Sequence, residues 1–260
     1  MLGKVLKYDL KALCRYLIPL YAVLFGLGIM IRLLGFFDNV SIIAIICGLM
    51  IVALVVLSCL SFVLNGIFSV KYYLENLFKD EGYLTHTLPV KKGTLLFSKV
   101  LASLVTFSMT ALVLIISLIV AFYQKGLFVD VVKVLNLSIY GMTVYEFLLF
   151  MIVYGIIGYV ATILMVYAAI AIGYSRSSNK LVSSVVWGLI FYFVMEFLYL
   201  GLLGIIMIIN PTFISNLDNS VFMMKDLIIF FSIFMVFTAL IGGVYYYISY
   251  RFMDKKLNLE

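Results

Sequence analysis

Long apolar stretches are the feature that most constrains how this chain can fold. Six of them recur along its 260 residues, and crossing the hydrocarbon core of a bilayer takes about 20 residues of helix. Inside that core every backbone polar group must be satisfied within the protein, which favours helices. The sequence predicts an all-α polytopic membrane protein with spans at about 17–36, 41–70, 95–123, 141–173, 181–209 and 227–249.

The overall composition supports the same fold class. Hydrophobic residues make up 66% of the chain and charged residues 12%, whereas a soluble domain is about half apolar and a quarter charged. The polar stretches between the spans are too short to build a core of their own. We therefore expect a single transmembrane domain over 1–260, with a polar connection at 71–94 and a short tail at 250–260.

The distribution of Lys and Arg predicts the orientation of the spans. Cytoplasmic segments carry an excess of these residues, and 14 of the 18 fall on one side of the predicted spans. These are Lys4, Lys7, Lys11, Arg15, Lys71, Lys79, Lys91, Lys92, Lys99, Arg176, Lys180, Arg251, Lys255 and Lys256. We expect a multi-pass protein of the cell membrane with both termini in the cytoplasm. The net charge of +6 is explained by anionic lipid headgroups without a nucleic-acid partner.

The first 16 residues have the pattern of an amphipathic helix. At about 100° per residue, their four basic side chains share one arc of about 80°, opposite the leucines. This arrangement predicts a helix at the membrane interface, with basic side chains directed to the membrane surface: Lys4, Lys7, Lys11 and Arg15. Asp9 interrupts the pattern because it falls on the apolar side. Either a local pair with a nearby Lys or a contact with a partner subunit would explain it.

Several kinds of catalytic and nucleotide-binding motif are missing from the sequence. It has no G-x-x-x-x-G-K-[ST] motif and no G-x-S-x-G motif. It contains one His, which excludes the paired-His zinc motif. We expect no enzyme activity and no cofactor or metal bound by this chain.

Two carboxylates lie in apolar surroundings within the predicted spans. Glu146 is near the outer end of span four, and Glu196 is about 22 Å along span five from its cytoplasmic end. A charge at the centre of a span costs about 2.5–3.5 kcal/mol and usually faces a partner, a cavity or the bundle interior. Both residues could fix helix packing, and both are also candidates for lining a translocation path.

The polar segment "KDEGYLTHTLPVKKGTLLFSKVLA" lies between spans two and three, on the predicted cytoplasmic side. Gly82 can end the helix that extends from span two, and Thr94 can cap the helix of span three. Leu84 and Leu88 form a short apolar stripe at i, i+4, and Pro89 redirects the chain. An ordinary interfacial loop held by lysines would also fit these features.

This segment, together with the basic N-terminal helix and six spans, resembles the ABC-2 type permeases, the membrane subunits of a class of ATP-binding-cassette exporter. The whole chain shares the layout of these permeases, whereas the sequence motif itself extends over only about 20 residues. The resemblance implies a coupling helix that docks on a separate ATPase subunit. The docking segment would comprise Glu81, Gly82, Tyr83, Leu84, Thr85, His86, Thr87, Leu88 and Pro89, with Lys91 and Lys92 as anchors.

The resemblance also implies partners. Two ATPase subunits would bind ATP and Mg²⁺, and a second permease chain, identical or different, would complete the pathway. Two other functions remain open at this point: a non-transporting membrane scaffold or sensor, and a stand-alone secondary carrier. The sequence does not indicate the substrate.

Overall fold

The computed structural model describes residues 2–37, 41–79, 81–87, 89–124, 126–139, 142–175, 179–209 and 224–255. Its helices are α1 (Leu2–Leu34), a 3₁₀ turn (Gly35–Phe37), α2 (Ser41–Phe78), α3 (Gly82–Thr87), α4 (Lys92–Phe122), α5 (Leu127–Leu135), α6 (Val144–Gly173), α7 (Lys180–Ile209) and α8 (Met224–Lys255). Strands β1 (Ser138–Ile139) and β2 (Met142–Thr143) form one antiparallel pair. Within these residues, six helices are long and apolar enough to cross a membrane. The prediction of a helical protein with six membrane-length helices is thereby confirmed.

Several predicted boundaries differ from the observed ones. The segment predicted as a separate interfacial helix and the first span form one continuous helix, α1. Span four was expected from residue 141, but α6 begins at Val144, after the β-hairpin. The connection after span three contains the helix α5, which was not predicted from the sequence. A helix in the membrane interface at 1–16 stays a prediction.

The chain divides into two compact units, Met1–Leu127 and Phe128–Glu260. In the first unit, α1 packs against α2 and α4 around the buried side chains of Leu24, Ile31, Leu54, Leu114 and Ala121. The helices α1 and α4 approach each other closely at Gly28, where an added Cβ would lie 2.7 Å from the Ser117 carbonyl oxygen. Small residues allow helix backbones to approach closely in membranes, and the absence of a side chain at Gly28 permits this contact.

In the second unit, α6 packs against α7 and α8. Small residues again mark the contacts: a Cβ at Gly173 would overlap Ser184, and one at Gly242 would lie 3.5 Å from the Ala161 Cβ. Hydrogen bonds between helices add to this packing, as where the hydroxyls of Tyr199 and Thr238 are 2.9 Å apart. Such bonds are worth about 0.6 kcal/mol on average in membrane helices, so close packing carries most of the stability.

Candidate functional site

A buried ion pair joins three helices of the first unit. The Lys99 Nζ atom of α4 donates to Asp9 Oδ1 of α1 at 2.6 Å, and the Tyr72 hydroxyl of α2 donates to the same oxygen at 2.8 Å. The Ser98 hydroxyl donates to Asp9 Oδ2 at 2.5 Å. We call these four residues the Asp9 cluster; it gives the carboxylate three donors from two neighbouring helices.

Both charges of the Asp9 cluster are removed from solvent. The side chains of Lys99 and Asp9 are 2% and 3% exposed. The Lys99 ammonium also lies 4.1 Å from the centroid of the Tyr72 ring, which adds a cation–π interaction. A buried charge without a partner is very costly, so each of these two charges depends on the other to remain in the interior.

The Asp9 cluster resolves the interruption in the amphipathic pattern of α1. The position of Asp9 is explained without a contact to a partner subunit, and its partner is not a Lys on the same helix. It is Lys99, 90 positions away in the same chain. Lys99 was counted among the basic residues on the predicted cytoplasmic side of the spans, and the structure buries its side chain.

The four basic residues of the N-terminal segment lie on the exposed side of α1, away from Asp9. All four side chains are exposed, in agreement with the amphipathic pattern. They are Lys4, Lys7, Lys11 and Arg15. Contact of these side chains with the membrane surface stays a prediction.

The connection from α2 to α4 contains the short helix α3. The Gly82 amide donates to the Lys79 carbonyl at 2.7 Å, so Gly82 begins α3 and does not end α2, contrary to the expectation. The Asn76 side chain donates to Glu81 Oε2 at 3.0 Å, and the Thr85 hydroxyl donates to the Glu81 carbonyl at 3.0 Å. These bonds stabilise the turn into α3 and attach it to the end of α2.

The start of α4 also differs from the sequence prediction. Lys91 is its N-cap, in extended conformation and without a capping side-chain bond, so the expected cap at Thr94 is wrong. Pro89 lies between the end of α3 and the start of α4, as expected for a residue that redirects the chain.

The described side chains of the predicted docking segment divide by exposure. Gly82 and Thr85 are buried and Lys92 is half-buried, whereas the Tyr83 side chain is 69% exposed. The other exposed members are Glu81, Thr87, Pro89 and Lys91. The side chains of Leu84 and His86, and the whole of Leu88, lie outside the described residues. Tyr83 is therefore the large apolar side chain that the described part of this segment presents to the outside.

Hydrogen-bonding side chains continue into the interior of the first unit beyond the Asp9 cluster. The Asn65 amide donates to the Thr110 Oγ1 atom at 3.3 Å. The Tyr21 hydroxyl lies 2.8 Å from the same oxygen. These bonds link α1, α2 and α4 again, within an otherwise apolar core. Hydropathy gave no indication of this second polar contact.

The two candidate carboxylates in the second unit have different surroundings. Glu146 lies in the first turn of α6 and forms a capping box with Thr143, whose amide donates to Glu146 Oε2 at 3.0 Å. This cap explains a carboxylate at that position. Glu196 lies mid-way along α7 and its side chain is exposed. Glu146 is thus part of a helix cap, whereas no cap accounts for Glu196.

The described residues contain no group of three His, Cys, Asp or Glu side chains that could hold a metal ion. Cys14, Cys47 and Cys59 are free thiols.

No family model, curated protein or solved structure matches the chain. The resemblance to the ABC-2 permeases thus rests on the sequence features alone.

Proposed function

We propose that this chain is the permease subunit of an ATP-binding-cassette exporter and that α3 is its docking element for a separate ATPase. The main support for the proposal is the structure of the connection between α2 and α4. A short helix is held to the end of α2 by the Asn76–Glu81 bond and presents Tyr83 at 69% exposure. An aromatic side chain on a fixed helix is suited to fill a pocket on a partner protein.

The Asp9 cluster gives this docking element a means to act on the spans. Lys99 lies seven residues after the start of α4, or about 10 Å along the helix. The ion pair and the Tyr72 bond attach α1 and α2 to α4 near that end. Movement imposed on α3 by ATP binding in a partner would therefore shift three spans together, as rigid-body switching requires.

The position of Glu196 supports a second permease chain. The described residues offer its exposed side chain no ion pair or hydrogen bond, although it lies near the middle of α7. Exposure of such a carboxylate to lipid would cost about 2.5–3.5 kcal/mol. A partner chain or an aqueous path between two chains would remove that cost. We expect Glu196→Gln to change ATP turnover by the complex with unchanged folded yield, and Glu146→Gln to leave turnover unchanged.

Co-purification tests the docking element directly. The tagged chain is co-expressed with the ATP-binding-cassette ATPases of its source genome, and a P-loop ATPase should be recovered with it in detergent. Tyr83→Asp should abolish the recovery, as should Leu84→Asp or Leu88→Asp. Tyr145→Asp is the matched control, because Tyr145 is also exposed, at 55%, but lies at the start of α6.

Two results would count against the proposal. Recovery of no P-loop ATPase with the wild-type chain would favour a scaffold, a sensor or a stand-alone carrier. Equal recovery with Tyr83→Asp and Tyr145→Asp would place the docking surface elsewhere on the chain.

A further inference from the structure

The helix α5 leaves much of its apolar side exposed in the described part of the chain. None of its residues is buried, and its large apolar side chains are between 44% and 59% exposed: Phe128, Val129, Val131, Val132 and Val134. At about 100° per residue, one arc of about 160° contains six apolar side chains. They are Leu127, Phe128, Val131, Val132, Val134 and Leu135; Val129 lies outside this arc. Asp130, Lys133 and Asn136 occupy the opposite side.

Hydrogen bonds attach the C-terminal end of α5 to the start of α6. The Leu137 amide donates to the Val134 carbonyl of α5, and the Val144 amide donates to the Leu137 carbonyl, each at 3.1 Å. Between these contacts, the β-hairpin pairs Ser138 with Thr143. The end of α5 therefore lies at the level where α6 begins.

We expect the start of α6 to lie at the surface of the membrane. Its capping box uses the Glu146 carboxylate, which is exposed, and a charged cap is stable in the headgroup region but not in hydrocarbon. From that turn onward α6 is apolar enough to span the bilayer. A helix attached to a cap at that level would be held at the boundary between headgroups and acyl chains.

We propose that α5 is an interfacial helix whose apolar side is buried in the bilayer surface from which α6 enters the membrane. Its polar side carries the Asp130–Lys133 pair, with Lys133 Nζ 3.2 Å from Asp130 Oδ1 and both side chains more than 70% exposed. This pair has no net charge, so the attraction to lipid is hydrophobic and does not require anionic headgroups. The inference does not depend on the docking role of α3.

The single tryptophan of the chain makes the test direct. Trp187 is replaced by Phe, and a reporter is introduced as Phe128→Trp on the apolar side or as Lys133→Trp on the polar side. The two positions are about 140° apart around the helix. Each protein is reconstituted in phosphatidylcholine vesicles, either plain or brominated near the ester end of the acyl chains, and iodide is used as the aqueous quencher.

The Phe128→Trp reporter should show blue-shifted emission and about twofold or greater quenching by brominated lipid, with little quenching by iodide. The Lys133→Trp reporter should show the reverse. Because α5 buries no side chain, these substitutions should not prevent folding. Val131→Trp and Asp130→Trp provide a second pair of reporters on the two sides.

Two outcomes would overturn the inference. Equal iodide quenching of both reporters would place the apolar side of α5 in water. Protection of Phe128→Trp from both iodide and brominated lipid would show that protein covers this side, for example a second copy of the chain. Neither outcome depends on recovery of an ATPase, so failure here is distinct from failure of the proposed function.

Discussion

Removing one member of the buried ion pair should strongly destabilise the first unit. Lys99→Met leaves the Asp9 carboxylate with two neutral donors, Tyr72 and Ser98, in a site where its side chain is 3% exposed. An uncompensated buried charge of this kind costs about 3–5 kcal/mol. Asp9→Asn leaves the Lys99 ammonium unpaired and should cost a similar amount.

The double variant Asp9→Asn/Lys99→Met allows the stability contributed by the ion pair to be measured apart from that of its surroundings. It removes both charges and keeps a carbonyl oxygen that can accept from Tyr72 or Ser98. We therefore expect its loss of stability to be well below the sum of the two single losses. The difference should correspond to a coupling energy of at least about 2 kcal/mol, as found for residues in one network.

The assay is reversible unfolding by SDS in mixed micelles, followed by far-UV circular dichroism. The matched control is Lys71→Met, because Lys71 forms an exposed pair with Glu75 at 3.9 Å, with side chains 49% and 42% exposed. That variant should lose less than about 1 kcal/mol. If Lys99→Met lost no more than Lys71→Met, or if the double variant were additive, the Asp9 cluster would not hold the three helices together.

Two further predictions concern helix packing and capping. Gly28→Ala should lower the free energy of unfolding by about 1–3 kcal/mol, because the new Cβ meets the Ser117 carbonyl oxygen at 2.7 Å, whereas nothing lies within 4 Å of a Cβ at Gly26; equal SDS midpoints for Gly28→Ala and Gly26→Ala would contradict this packing. Thr143→Ala removes the hydroxyl that accepts from the Glu146 amide at 3.3 Å and should cost about 0.5–2 kcal/mol. Faster hydrogen exchange confined to the first turn of α6 is the expected sign, and unchanged exchange there would refute the capping role.

The six membrane-length helices could be predicted because hydropathy is a local property of about 20 residues. Hydropathy could not show that α1 is one continuous helix. A basic stripe determines which side of a helix faces solvent, but it does not end the helix. It also missed α5, whose nine residues are too few to span a bilayer and sit between polar residues.

The Asp9 cluster could not be located from the sequence, although one sign of it was present. Asp9 falls on the apolar side of α1, which indicates that it needs a partner in the interior. Identifying that partner requires the packing of α1 on α4, which brings together residues 90 positions apart. Hydropathy and periodicity carry no information on contacts of that range.

The most direct test of the proposed function is site-specific photo-crosslinking at Tyr83. A photoreactive phenylalanine analogue is placed at position 83 or, as a control, at position 132 in α5, which is also exposed. Irradiation of membranes containing the co-expressed ATPases should give an adduct between position 83 and a P-loop ATPase, and none from position 132. Absence of that adduct at position 83, or equal adducts at both positions, would contradict the account of α3 as the docking element.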